Sequence, residues 1–283
     1  MDLTAHLAGL LGDTITRLEQ LGHRHEWTLH RAETGSGTAI FVKALDGAGN
    51  PGVLGAETAG LRWLGAADNR LVPQVLAADD RVLVLPWLTT QPATCDAAET
   101  LGRSLAALHT SAPATYGAPW PGFIAELPLD NSPGPGEWGS WYAERRLAPY
   151  LPAAAPLLGR DGVRLIEQVI NRSTELAGPP EPPSRLHGDL WSGNVIWSSG
   201  RAYLIDPAAH GGHRETDLAM LALFGAPHLD RILDAYQEAA PLSSGWRQRI
   251  PLHQLHPLLV HVVLFGSPYR GMLLAAAAAA LAG

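Results

Sequence analysis

The sequence predicts an α+β fold of two lobes, a small β-rich one over residues 1–88 and a larger, mainly helical one over residues 89–283. Three observations predict it. The chain has 283 residues, enough for two modest hydrophobic cores. Strand-like apolar runs cluster before residue 88, whereas helical periodicity dominates after it. One short segment within the helical part, Arg185 to Pro207, reads as two strands around a turn: RLHGDLWSGNVIW, a polar Ser-Ser-Gly, then RAYLIDP.

In the first lobe, Asp2 to Leu11 places Leu3, Leu7, Leu10 and Leu11 on one helical face. Glu26 to Ala32 reads as a strand, Glu33 to Gly37 as a glycine-containing turn, and Ala39 to Leu45 as a second strand. That second strand carries Lys43 amid Ile40, Phe41, Val42, Ala44 and Leu45. A cation in an apolar strand is costly unless partnered. Glu57, in the helical pattern from Gly55 to Leu64, is the nearest plausible partner. Arg81 to Leu85 is a further strand, and Pro86-Trp87-Leu88 leaves it as a hinge between the lobes.

In the second lobe, Asp96 to His109 is a helix with a buried stripe of Leu101, Leu105 and Leu108, and Asp96 with Glu99 resembles a capping box. Ser111 to Gly139 is a long Pro- and Gly-rich loop carrying Tyr116, Trp120, Phe123 and Trp138; loops of this length are usually functional, and the aromatics suggest an ordered one beside a substrate. Trp141 to Tyr150 and Gly162 to Leu176 read as helices. The proline run from Pro179 is a linker, and Arg214 to Phe224 and His228 to Ala239 are helices again. The apolar tail from Met272 to Ala282 is about half the length of a membrane span and reads as a buried terminal helix.

The chemistry lies in the hairpin. Asp189 and Asn194 stand five residues apart before the first strand, Val195 to Trp197, and Asp206 ends the second, Ala202 to Ile205. The turn folds the strand ends together, so Asn194 and Asp206 should lie side by side. They offer two oxygen ligands for a hard cation such as magnesium, with the Asp189 carboxylate close by. A base for an attacking hydroxyl beside a divalent-ion site is what phosphoryl transfer requires, and D-x-x-x-x-N followed by a metal-binding Asp is how kinases space them. Lys43 paired with Glu57 would then hold the nucleotide α- and β-phosphates. The Pro86 carbonyl and the Leu88 amide would read adenine, since proline lacks N–H but keeps C=O. A glycine loop over the phosphates is poorly matched: Gly22-His23-Arg24-His25 is the better candidate and has one glycine.

RLHGDLWSGN, LIDPAAHGGHRETDLAMLALFG, WYAERRLAPYL and LHQLHPLLVHVVLFGSPYRG together resemble the fructosamine kinase (ketosamine-3-kinase) family over nearly the whole chain. The resemblance implies a protein-kinase-like, two-lobed fold and ATP-dependent phosphorylation of the sugar 3-hydroxyl of ketosamines. It implies Asp189 as the proton acceptor, Asn194 and Asp206 as magnesium ligands, and Lys43 with Glu57 at the nucleotide phosphates. The expected cofactors are ATP and Mg2+, and the expected partner is a free or protein-borne ketosamine. Related aminoglycoside and choline kinases share the Asp–Asn–Asp skeleton, so an amino-alcohol phosphotransferase is the alternative activity, and a non-catalytic nucleotide-binding relative is a third. The chain departs from the family at GHRHEW and at Pro86, both on the nucleotide side.

Other positions carry two readings each. Trp191 is placed to stack on the sugar or the amine-bearing chain, or to pack beneath the loop. His213, Arg214 and Glu215 face the substrate region, where Glu215 would meet a cationic amine and Arg214 a phosphate or sugar hydroxyl, unless the three form a salt-bridged helix start. His187 is expected to support the catalytic loop through hydrogen bonds, and Asp217 to do the same by accepting backbone N–H groups, with contact to substrate as its other reading. His210-x-x-His213 and His253-x-x-His256 lack a third ligand at zinc-site spacing. A formal charge of −7 with no basic block argues against nucleic acid. A lone cysteine, Cys95, excludes an intrachain disulfide and fits a reducing, cytoplasmic setting. No secretory signal is visible, and a monomer is expected.

Overall fold

A computed structural model describes every residue except 1, 25, 46, 48 and 135. Helix α1 (Leu3–Leu11) is capped by the Asp2 carboxylate, which accepts from the Thr4 and Ala5 amides. Strands β1 (Ile15–Arg24), β2 (Trp27–Thr34) and β3 (Ala39–Leu45) follow, then α2 (Pro51–Gly65), β4 (Ala77–Ala78) and β5 (Val82–Pro86). The five strands form one antiparallel sheet in the order β1-β2-β3-β5-β4. Strand β1 is absent from the sequence-based reading, because Arg17, Glu19, Gln20, His23 and Arg24 give it no apolar alternation.

Side-chain alternation explains how this sheet makes a site. Ala32, Ile40, Val42, Ala44, Val82 and Val84 point one way and bury Leu7 of α1. Leu29, Phe41, Leu45, Leu83 and Leu85 point the other way, into a core that includes Leu54, Leu61 and Leu64 of α2. Lys43 shares that second face, so the period of two delivers its ammonium to the cleft side.

The chain leaves β5 and enters α3 (Cys95–Thr110), which begins at the exposed Cys95. Its N-cap is Thr94, whose hydroxyl accepts from the Ala97 amide, rather than the Asp96–Glu99 box expected from spacing. The Pro- and Gly-rich stretch is ordered around a small hairpin, β6 (Gly122–Ile124) and β7 (Leu127–Leu129). Helix α4 (Trp138–Tyr142) runs into a π-helical turn over Ala143–Leu147 and then α5 (Leu151–Leu176), kinked at Gly159. Strand β8 (Ser184–Leu186) leads into the catalytic segment. Strands β9 (Val195–Ser198) and β10 (Arg201–Leu204) form the expected hairpin, and β11 (His210–Gly212) pairs back onto β8.

Helices α6 (Glu215–Phe224), α7 (Leu229–Ala239), α8 (Trp246–Phe265) and α9 (Arg270–Ala282) complete the larger lobe. A core cluster from Trp27 to Trp246 spans both lobes, and a second fills the helical lobe. The terminal helix α9 buries one face only, through Leu273, Ala277 and Ala280, and exposes Met272. Among the described residues no helix is long and apolar enough to cross a membrane.

Candidate active site

The cleft between the sheet and the helical lobe holds a cavity of about 590 Å³. Its lining brings together Lys43 and Glu57 from the sheet side, Pro86 and Leu88 from the hinge, and Asp189, Trp191, Asn194 and Asp206 from the catalytic segment. These eight sequence-predicted positions span the chain from residue 43 to residue 206.

The catalytic loop is held from beneath. Asp217, fully buried in the first turn of α6, accepts the His187 amide at 2.8 Å and the Gly188 amide at 3.0 Å. His109 fixes the same carboxylate at 3.2 Å and bonds the Tyr236 hydroxyl through its other nitrogen at 2.9 Å. Burial raises the affinity of Asp217 for a proton, but the His109 hydrogen bond and charge and the loop amide outweigh it, and its pKa falls below the ordinary carboxylate value. Gly188 has φ +82, and a Cβ there would collide with the Ala208 carbonyl, so only glycine fits.

His187 is buried, and burial lowers its pKa, so the ring is neutral. One ring nitrogen faces the Ile205 carbonyl at 2.9 Å and must carry the proton; the other then accepts from the Asp189 amide at 3.3 Å. His187 therefore ties the Asp189 loop to the end of the hairpin and stands behind Asp189.

Asn194 donates to the Asp189 backbone carbonyl at 2.9 Å and to its carboxylate at 3.0 Å. That use of the amide nitrogen turns the Asn194 oxygen away from Asp189. Burial pushes the Asp189 carboxyl up to about 7; Asn194 opposes this, and the Asp206 and Asp217 charges add to it. A carboxylate poised there suits proton transfer at neutral pH.

Lys43 donates to Glu57 at 2.6 Å and to Asp206 at 3.3 Å. Burial alone would lower its pKa, but the charges of Glu57 and Asp206 more than reverse this. Two carboxylates sharing one ammonium compete for it: burial and Asp206 push Glu57 up against the pull of Lys43. Burial likewise raises Asp206, yet the Lys43 charge prevails and holds its pKa low. The Asp206 side chain is 50% exposed, whereas Lys43 is 12% exposed, so Asp206 is the carboxylate open to a ligand. An ionised carboxylate oxygen beside a free amide oxygen fits the hard, oxygen-seeking magnesium ion. The Ile205 amide, bonded to the Asn194 carbonyl at 3.0 Å, sets the two strand ends side by side.

At the hinge, Trp87 donates its amide to Ala39 at 3.1 Å. Among the described residues no acceptor meets the Leu88 amide, which leaves that donor available to a base. Of the loop aromatics, Trp120 and Phe123 line the cavity. Tyr116 and Trp138 instead pack in the helical core, with Trp138 stacked on Tyr142 and His253. Trp191 lines the cavity, is partly exposed, and meets Phe224 edge-on at 6.3 Å. Its ring lies over Gly193, where any side chain would strike it.

His213, Arg214 and Glu215 are not brought to the cavity, and the helix-start reading describes them. Arg214 grips Glu181 with bonds of 2.6 and 2.8 Å and donates to the Ala240 and Pro241 carbonyls. Glu215 is held by Arg249 at 2.9 and 2.5 Å. His213 packs at a tilt against the rings of Trp138 and His253. His213, Glu215 and His253 do converge within 4.8 Å, a grouping that the His-x-x-His spacing did not suggest. The Arg249 guanidinium already satisfies both Glu215 oxygens and would repel a cation there. Glu181, an acidic residue within the proline run, is the anchor that sequence reasoning missed. Leu21, Phe41 and Asn131 are lining residues it also missed, whereas Arg24, already in the candidate phosphate loop, lines the cavity too. Gly22, His23 and Arg24 of the proposed phosphate loop close β1; His25 lies outside the described residues.

Comparison with known proteins places this geometry. A Thermus thermophilus protein named a probable ketoamine kinase is 38% identical over 224 residues, covering 79% of this chain and 80% of the relative. The crystal structure of a candidate fructosamine-3-kinase from Thermobifida fusca superposes with a TM-score of 0.96 at 51% identity, covering 100% of this chain and 99% of that one. A macrolide 2'-phosphotransferase from Brachybacterium faecium shares the fold at a TM-score of 0.61 and 17% identity, covering 97% of this chain and 95% of its own. The sequence profile of the fructosamine kinase family matches residues 18–281, and the chain belongs to that family.

Proposed function

We propose that this protein is an ATP-dependent ketosamine 3-kinase acting on sugars joined to amines as ketoamines. The observation that carries the reading is the convergence of Asp189, Asn194, Asp206, Lys43 and Glu57 on one cavity, in a chain of the fructosamine kinase family.

Asp189 accepts the proton of the sugar 3-hydroxyl as that oxygen attacks the γ-phosphorus. The new O–P bond forms, the bond to the β-phosphate oxygen breaks, and ADP leaves. Lys43, aligned by Glu57, binds the α- and β-phosphates. Asn194 and Asp206 would hold magnesium, which neutralises charge on the phosphate oxygens when bound. The Pro86 carbonyl and the Leu88 amide face the adenine edge, between apolar walls from Leu29, Phe41, Leu85 and Ile205. Trp191 at the cavity wall stacks on the sugar or its amine-bearing chain.

The product has a built-in fate. Phosphate at C3 is a far better leaving group than hydroxide once the C1–C2 enaminol forms. A persistent adduct then eliminates phosphate and releases its amine, so the reaction supports deglycation.

The test is coupled ADP release with magnesium and ATP on ribulosyl-lysine, fructosyl-lysine and an aminoglycoside. Turnover on the ketosamines is expected, with a loss of roughly a hundredfold or more in Asp189→Asn. Turnover on the aminoglycoside alone would move the chain to the amino-alcohol reading. Magnesium-dependent ATP binding without any turnover would leave a nucleotide-binding protein.

A further inference from the structure

Among the described residues, the ionisable side chains lining the cavity are Arg24, Lys43, Glu57, Asp189 and Asp206, three of them acidic. Lys43 is already divided between Glu57 and Asp206. A nucleoside triphosphate would enter a cleft short of positive charge even with a metal ion bound. Kinases commonly add a glycine-rich loop whose backbone amides cover the phosphates. Here Arg24, the last residue of β1, already pairs with Trp27, the first of β2, so the connection between them is short. Gly22, the glycine of the expected phosphate loop, lies within β1 opposite Leu29. So short a turn has few amides to offer.

Strand register locates what replaces them. Along β3, Ile40 lies opposite the hinge residue Pro86. Lys43 is further from the hinge, opposite Leu29, and Leu45 further still, opposite Trp27. Trp27 in turn pairs with Arg24. If adenine sits at Pro86 and Leu88, the phosphates run away from the hinge, past Lys43 and towards the row that ends in Arg24. Among the described residues no carboxylate pairs with Arg24. Other arginines of the same sheet are paired, Arg17 with Glu19 and Arg31 with Glu33.

We propose that Arg24 binds the β- and γ-phosphates of the nucleotide, doing with one forked side chain what a glycine loop does with backbone amides. A guanidinium presents paired donors that match phosphate oxygens and stays charged at any working pH. The assignment rests on the ATP reading above.

The test compares calorimetric binding of ATP and AMP, both with magnesium, to the wild type, Arg24→Ala and Arg24→Lys, with the nucleotide-free melting temperature as a folding control. Arg24→Ala should weaken ATP by about tenfold or more, while AMP, which lacks the outer phosphates, changes by less than about twofold; Arg24→Lys should restore part of the loss. In turnover, the KM for ATP should rise and that for the ketosamine should not. Unchanged ATP affinity overturns the proposal, as does an equal loss for ATP and AMP, which would mean general damage to the site. A wild type that phosphorylates ketosamines beside an unaffected Arg24→Ala sinks the Arg24 assignment alone. A wild type that binds neither nucleotide removes the kinase reading and this assignment with it.

Discussion

At the scale of single residues, Asp189 sits where chemistry and stability pull apart. Its carboxyl is raised to about 7, chiefly by burial, so the fold disfavours the charged form that the proposed reaction would use. Two outcomes follow. The pH profile of kcat/KM should fall on its acid side around pH 7, because a protonated Asp189 cannot accept the hydroxyl proton. Asp189→Asn should melt about 2–4 °C above the wild type at pH 8, as for a gain of ~1 kcal/mol in a chain of this size. That gap should close as the pH falls and Asp189 is neutralised in the wild type too. Calorimetric scans at pH 8 and pH 6 check this, and equal melting at pH 8 would show that the carboxylate is not strained.

At the scale of elements, α6 is the part that places the loop. Its first turn carries both Asp217, beneath the catalytic loop, and Glu215, locked to Arg249 of α8. Arg249→Leu leaves the buried Glu215 carboxylate without its guanidinium partner and should cost about 3 kcal/mol, read as a lower midpoint in urea. The folded fraction should keep its KM for the ketosamine, since Glu215 lies away from the cavity; a KM that rises with the substitution would return Glu215 to the substrate. This pair also marks the limit of legibility. Asp189, Asn194 and Asp206 could be read because a short hairpin fixes their relation locally, and Lys43 because an apolar strand demands a partner for it. His213, Arg214 and Glu215 are adjacent to that hairpin in sequence, yet the partners that turn them inward, Glu181, Arg249 and His253, come from the proline run and from α8. No local pattern announces such pairings. Strand β1 was hidden for a related reason: it lies at the edge of the sheet, and its mostly polar side chains carry no alternation.

At the scale of the whole molecule, the helical lobe is unusually dependent on uncharged imidazoles. His187, His210, His213, His253 and His256 are all buried, and burial lowers the pKa of each. Such groups bind protons when the chain unfolds but resist them when folded. The stability they permit is intact above the unfolded histidine pKa near 6.5 and is lost as pH drops below it, by up to ~1.4 kcal/mol per pH unit for each histidine. The melting temperature should therefore fall steeply between pH 6.5 and pH 5, opposite in sign to the Asp189 contribution. A flat profile over that range would mean that these rings are protonated in the fold. Finally, the only thiol in the sequence, Cys95, is exposed and opens α3 just beyond the hinge. A maleimide dye would react at that single place without any other substitution. The wild-type chain can thus carry a fluorescent label beside the cleft, where an optical response to added ATP or ketosamine would report the binding proposed above without any mutation.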